Sequence, residues 1–257
     1  MHRYFISDLH LHESRPHITS LFESFLEKLK KRDQVSLLET ELYILGDLFE
    51  SWIGDDYENE LHNQVKTALK SLTDSGIMVF FLHGNRDFLI GEKFLSETDV
   101  QLLIDPLILK NADLDEETIL LTHGDQMCTD DIEYQTFRSI VRKSNWQNDF
   151  LNSPISKRLK IASETKDASE QSKQEKSMDI MDVNQKEVIK TFKKHNVDIL
   201  IHGHTHRPMK HELKIDNRIC LRYVLGDWSR SNAIILESYK GSMTLIDLVA
   251  TRLCSVN

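Results

Sequence analysis

The chain has 257 residues, enough for one large domain or a core with an insertion, and its 40% hydrophobic content can bury a sizeable core. Acidic residues outnumber basic ones by 41 to 32, and the net charge of -9 argues against a general nucleic-acid binder, which presents a broadly basic face. The three cysteines, Cys128, Cys220 and Cys254, are odd in number, far apart and in no CxxC pair, which argues against a disulfide framework or a zinc ribbon and fits a reducing compartment.

In chain order, the first run is RYFIS (3–7), strand-like from the start, with no basic-then-apolar signal segment before it. No stretch of about 18 apolar residues follows anywhere, so the expectation is a cytosolic protein, soluble or peripheral. A helix is predicted after Pro16, where Ile18, Leu21, Phe22, Phe25, Leu26 and Leu29 recur at i, i+3 and i+4. ELYILG (41–46) reads as the next strand, 57–75 as a helix closing at Gly76, then IMVFFLHG (77–84) and TILLTHG (118–124) as strands. VDILIHG (197–203), LRYVLG (221–226), NAIILES (232–238) and SMTLIDL (242–248) complete a set read as strands buried on both faces. The class is therefore α/β, with right-handed crossovers, a largely parallel arrangement and antiparallel pairs added late.

One domain is expected over 1–257, with a helical insertion at 130–195 that contains no strand pattern. Its part 138–160 sets Arg138, Arg142, Lys143, Lys157, Arg158 and Lys160 against one acid, Asp149, interleaved with Phe150 and other apolar residues. The stretch 163–177, SETKDASEQSKQEKS, is polar and reads as a solvated, flexible loop. Whether the basic, aromatic part is a packed helix pair or faces a membrane is left open by composition.

The strand ends carry the chemistry. Asp8 and His10 follow the first strand, Asp47 the second, Asn85 and Arg86 the third, His123 and Asp125 the fourth, and His204 and His206 the fifth. A lone Gly-Asp is a turn, but loops beyond the carboxyl ends of parallel strands converge on one edge, so these residues can meet. Carboxylate, amide oxygen and imidazole without sulfur suit manganese, zinc or iron rather than a structural zinc. Seven ligands, Asp8, His10, Asp47, Asn85, His123, His204 and His206, exceed one ion and suit two sharing a carboxylate, a clamp for displacement at phosphorus. Arg86 is placed to hold a phosphate oxygen, with a salt bridge to Asp87 or Asp125 as its other reading.

The ordered blocks DLH (8–10), GD (46–47), GNRD (84–87), THGD (122–125) and GHTH (203–206) resemble the calcineurin-like metallophosphoesterases. The resemblance implies a β-sandwich core flanked by helices, with the site at the strand ends. LYILGDLFESWIGDD, GNRDFLIG, HGDQMCTDD, SMDIMDVNQ and IHGHTHRP are similar, more closely, to the lipid A pathway pyrophosphatases that split UDP-2,3-diacylglucosamine into UMP and 2,3-diacylglucosamine 1-phosphate.

That resemblance implies two divalent ions, manganese by analogy, with Asp8, His10 and His206 on one, Asn85, His123 and His204 on the other, and Asp47 bridging. It implies Asn85, Arg86, Asp131, Ser169, Lys173, Lys176 and His204 as substrate contacts, the insertion as a lid over the acyl chains, and Asp47, Asn85, Arg86 and His123 as the catalytic set. It implies peripheral attachment to the anionic cytoplasmic side of the bacterial inner membrane, and no protein partner or nucleic acid. Lys173 stands where the pattern has an asparagine.

Two alternatives stay open: a metallophosphoesterase of soluble nucleotides or phosphoproteins, and a silent metal-binding scaffold, against which the complete ligand set argues. Asp55 and Asp56 read as loop residues, His83 and His202 as core or supporting histidines, and Cys128 as a packing residue.

Overall fold

The computed structural model describes every residue except 32, 112–116, 176–179, 181 and 255–257, and the side chains at 111, 170, 172–175 and 252–254 lie outside the description. Strand β1 (His2–Ile6) opens a sheet that continues in parallel through β2 (Thr40–Ile44), β3 (Met78–Phe81) and the short β4 (Gln101–Leu102). Antiparallel β10 (Ile234–Tyr239) and β11 (Ser242–Asp247) extend its other side.

A second sheet runs in the order β5 (Leu107–Asn111), β6 (Glu117–Leu121), β7 (Ile199–His202), β9 (Arg218–Val224), β8 (Met209–Ile215). Its central pairs β6–β7 and β7–β9 are parallel and its edge pairs antiparallel.

Side chains alternate across each strand and so divide the core into layers. Phe5, Tyr43 and Leu82 point inward with Ile119, Leu121, Ile199 and Ile201 of the other sheet, forming the seam of a sandwich. Tyr4, Ile6, Leu42 and Ile44 point outward and bury the apolar stripes of α1 (Pro16–Lys30) and α3 (Glu60–Asp74). On the far face, Leu120 and Leu200 pack with Val188 and Phe192 of α8 (Gln185–His195). The result is a helix, sheet, sheet, helix stack.

Local chemistry marks the helix ends. Pro16 occupies the first turn of α1, where its missing N–H costs nothing. Asn59 Oδ1 accepts from His62 N at 2.7 Å to start α3, and Gly76 at φ +100° stops the chain just beyond it.

Between β6 and β7 the chain forms α5 (Ile132–Val141), α6 (Ser144–Leu151), α7 (Ile155–Glu175) and α8, helices without a strand as the sequence suggests. Two expectations need correction. The polar stretch from 163 to 175 is not a flexible loop but the second half of α7, which has no apolar stripe to announce it. β11 is not buried on both faces: it is the edge strand, and its side chains are exposed or half-buried. The short α2 (Gln34–Leu38) and α4 (Glu92–Thr98), a 3-10 turn at Asp125–Met127 and the helix α9 (Leu248–Cys254) complete the elements among the described residues.

Candidate metal centre

Strands β1, β2 and β3 run in parallel and end together, so the loops that follow them open on one edge. They deliver Asp8 and His10, Asp47, and Asn85 with Arg86. Strands β6 and β7 of the second sheet deliver His123, His204 and His206 to the same edge. All seven ligands expected from the sequence meet at the seam between the sheets.

Asp47 lies between two groups. Its Oδ2 is 3.8 Å from His10 Nε2 on one side and 3.7 Å from His123 Nε2 on the other. On the His10 side, His10 Nε2 and His206 Nε2 face each other at 3.2 Å, and Asp8 Oδ1 is 3.4 Å from His206 Nε2 and 3.9 Å from His10 Nε2. On the His123 side, Asn85 Oδ1 lies 3.0 Å from His123 Nε2 and 2.9 Å from His204 Nδ1. Asp8, His10 and His206 form one set close enough to hold an ion, and Asp8, Asp47 and His123 form another.

These residues fit divalent cations on chemical grounds. Asp8 is fully buried, its Oδ2 accepts from Ser7 Oγ and from His204 N at 2.9 Å, and its Oδ1 makes no hydrogen bond among the described residues. An orphaned buried carboxylate oxygen is costly unless a cation occupies the space before it. His123 is equally buried, and with a proton on Nδ1 it donates to Leu45 O at 2.8 Å, which turns Nε2 to the site. Burial lowers the His123 pKa, but Asp47, Asp8 and Asp125 overcome that and raise it to about 9. A field strong enough to hold a proton there also favours a metal ion in its place. His204 sits at about 4, lowered by burial and by His123, and so offers a neutral nitrogen. Burial works to raise Asp8, but the imidazoles of His206, His123 and His10 hold it well below the usual carboxylate range.

Backbone conformation supports the same reading. Asp8, His10, Asp47, His204 and His206 have φ of 56°, 48°, 53°, 68° and 56°, the left-handed region that side chains with a Cβ avoid. Such strain gathers where function demands it. Two glycines make the close approach possible. A Cβ on Gly84 would fall 2.1 Å from Asp47 Oδ1, and one on Gly203 would fall 2.0 Å from Ser7 Oγ.

Several supporting residues escaped the sequence reading. Asp87 is fully buried and accepts from the backbone N–H of Leu48 at 2.7 Å, Gly84 at 2.9 Å and Asp47 at 3.2 Å, stapling two ligand loops together. Burial, then the Asp47 charge, raises its pKa to about 7. Glu50 Oε2 lies 3.2 Å from His10 Nδ1, and Lys166 of α7 is 3.8 Å from its other oxygen. Asp87 stands inside the GNRD block and could have been noticed there; Glu50 is one acid among several in its loop.

Beside the ligands opens a cavity of about 1380 Å³, larger than most small-molecule sites. Its polar end holds His10, Asp47, Asn85, Arg86, His204 and His206, and its walls include Trp52, Phe88, Phe137, Ile140, Trp146 and Phe150. Arg86 donates to Ser169 Oγ of α7 at 3.2 Å and, among the described residues, forms no salt bridge with Asp87 or Asp125. Asp131 lines the cavity while its carboxylate caps α5 by accepting from Tyr134 N at 3.0 Å. The side chain of Lys173 and the whole of Lys176 lie outside the described residues.

The residues set aside in the sequence have structural partners. Asp55 accepts from Trp52 Nε1 at 2.9 Å, and Asp56 pairs with Arg158. His83 Nε2 is 2.8 Å from Ile90 O, and the buried His202, lowered to about 3 by burial and Arg222, has Nδ1 2.9 Å from Gly203 O. Burial and nearby carboxylates push the Cys128 thiol up to about 12, too high for a nucleophile.

Known proteins share this pattern. The calcineurin-like phosphoesterase family matches residues 1–208. A UDP-2,3-diacylglucosamine hydrolase of Haemophilus influenzae (strain PittGG) is 46% identical over 92% of this chain and 94% of its own. Relatives of the same name from Chromohalobacter salexigens (45% identity, 87% of each chain) and Escherichia coli O7:K1 (44% identity, 90% of this chain and 92% of its own) are similar over comparable spans. Among solved structures, Vps29 of Entamoeba histolytica aligns over 96% of this chain and 98% of its own at 16% identity, with a TM-score of 0.39, too low to bear on the site.

Proposed function

Because the chain belongs to the calcineurin-like phosphoesterases and, among them, to the UDP-2,3-diacylglucosamine hydrolases, we propose that it splits the pyrophosphate of UDP-2,3-diacylglucosamine into UMP and 2,3-diacylglucosamine 1-phosphate, a step of lipid A biosynthesis. It is a metal-dependent hydrolase. The observation that carries the substrate assignment is the cavity itself: His10, Asp47, Asn85, Arg86, His204 and His206 line it beside the ligand cluster, and the rest of its lining mixes polar residues with a set of aromatic and aliphatic ones, among them Trp52, Phe88, Ile140, Trp146 and Phe150. A soluble nucleotide would use the ligand side and leave the aromatic and aliphatic set without a purpose.

In this reading Asp8, His10 and His206 would hold one ion, Asn85, His123 and His204 would hold the other, and Asp47 would serve both. Manganese is the proposed occupant. Bound divalent ions supply charge neutralisation at the phosphoryl oxygens and lower the pKa of water near them. The chain's own residues do the rest. The Leu45 carbonyl fixes the His123 tautomer, and Asp87 fixes the loops that present Asp47 and Asn85. Arg86, at the cavity's polar end, grips the pyrophosphate and orients the α-phosphorus of the UDP group for attack by water. Asp131 and Ser169 stand on the cavity wall as substrate contacts, and Lys173 and Lys176 belong to the same proposed set.

Helices α5 to α7 act as a lid whose apolar inner side takes the acyl chains. Away from the cavity lining it exposes Ile132, Leu151 and Ile155, in the same segment as the exposed Lys143, Lys157 and Lys160. That mixture suits peripheral binding to the anionic cytoplasmic face of the inner membrane, where the substrate is held. No helix among the described residues is long and apolar enough to cross a membrane. The test is hydrolysis of UDP-2,3-diacylglucosamine with manganese in oxygen-18 water. The label is expected in UMP; label in the lipid product would overturn the direction of attack, and equal turnover of UDP-sugars lacking acyl chains would overturn the substrate.

A further inference from the structure

Resting on the function proposed above, we infer that Asp125 is a positioning residue that latches helix α5, one wall of the substrate cavity, to the loop carrying His123. Asp125 is completely buried two residues beyond His123. Among the described residues its carboxylate takes no hydrogen bond from its own turn. Both side-chain hydrogen bonds it receives come from α5 and end on Oδ2: Tyr134 Oη donates at 2.6 Å and Arg138 Nε at 2.7 Å. Its Oδ1 has no hydrogen-bond partner among the described residues.

The latch has a helical period. Tyr134, Arg138 and Arg142 follow at i, i+4 and i+8 and so share one face of the helix and its continuation. Arg142 Nη2 lies 3.9 Å from the same carboxylate oxygen and donates to Gly84 O at 2.7 Å, next to Asn85. From an adjacent position, Gln135 Nε2 donates to Asp125 O at 2.8 Å and to Cys128 O at 3.1 Å. One helix is thus bonded to the loops of two ligands, His123 and Asn85.

Apolar packing alone does not set this position. Val141 is the single buried residue of α5. Phe137 and Ile140 of the same helix line the cavity yet remain 40% and 46% exposed, so the polar bonds carry a large share of what fixes where they stand. The Tyr134 ring also sits 5.7 Å from that of His204, which ties the helix to the polar end of the cavity. Asp125 adds to the field at His123 behind Asp47 and Asp8, but both of its side-chain hydrogen bonds run to α5, and through that helix it works on substrate fit. Loosening it enlarges the set of positions available to the wall, and the cost falls on binding of the acylated substrate.

The experiment uses the full chain loaded with manganese. Asp125→Asn keeps the volume and removes the charge. The expected result is at least a tenfold rise in KM for UDP-2,3-diacylglucosamine, a fall in kcat of less than threefold, unchanged manganese per chain, and faster deuterium uptake in residues 132–142. Loss of manganese, or a fall confined to kcat, would place Asp125 in support of His123 and overturn the latch, as would an unchanged KM. If Asp125→Asn does not fold, Arg138→Gln, which alters the partly exposed end of the same bond, decides by the same KM criterion. If the unaltered chain does not turn over this substrate, the functional reading fails, and deuterium uptake across α5 in the two variants still decides the latch.

Discussion

At the scale of single residues, the left-handed backbone at Asp8, His10, Asp47, His204 and His206 is the most telling feature of the site. Each costs on the order of 1 kcal/mol or more in local strain, which the fold sustains in order to aim the side chain. A prediction follows that separates backbone from side chain. In the metal-free protein, His206→Gly should be more stable than His206→Ala by about 1 kcal/mol, because glycine occupies positive φ without strain. At the helical position Lys70 the order should reverse by a similar roughly 1 kcal/mol. Urea denaturation of the four variants measures both differences, and an equal ranking at the two positions would show that His206 carries no strain.

At the scale of elements, α7 shows how a helix can be fixed without an apolar stripe. Arg158, only 2% exposed, donates from Nη1 to Ile53 O at 2.6 Å and to Asp56 Oδ1 at 2.7 Å, and from Nη2 to Asp56 Oδ2. One buried guanidinium thereby docks the helix on the loop after Asp47. Arg158→Met keeps most of the apolar stem but leaves the Ile53 carbonyl without its donor, at a cost of about 1–3 kcal/mol. Protease cleavage within 155–175 should speed up while cleavage in α1 and α3 does not; uniform acceleration would mean that the change is global.

The same helix marks the limit of what the sequence reveals at this scale. α1 and α3 were legible because their apolar residues recur at helical spacing, and the central strands because apolar runs end at glycine. The latter half of α7 has no such period, and β4, α2 and α4 are too short to show one. The proposed metal ligands could be picked out because each follows a strand and differs in type from an ordinary turn residue. Asp87 and Asp125 stand in the blocks GNRD and THGD, but their roles were not legible, since which backbone N–H groups or distant helix a carboxylate binds leaves no pattern in the residues around it.

At the scale of the whole molecule, the site joins two separate sheets. Asp8, His10, Asp47 and Asn85 extend from the first, and His123, His204 and His206 from the second. An ion bound by residues of both layers binds the folded state alone and stabilises it by about 2.7 kcal/mol at a hundredfold excess over its Kd. For a chain of this size that corresponds to a rise in Tm of roughly 5–10 °C. Removing metal with a chelator should lower Tm by that amount and manganese should restore it, while Asp47→Ala should show a much smaller response. A shift that Asp47→Ala leaves intact would mean that the stabilising ion binds elsewhere.

The placement of these ligands along the chain also sets a timetable. During synthesis the ligands of the first sheet emerge early, but the last two wait for residue 206 of 257, beyond the whole helical insertion. Until then a nascent chain holds five of the seven, Asp8, His10, Asp47, Asn85 and His123, and lacks His204 and His206. Completion of the proposed two-ion site is consequently a late event, and a ribosome that stalls within the insertion releases a product without His204 and His206.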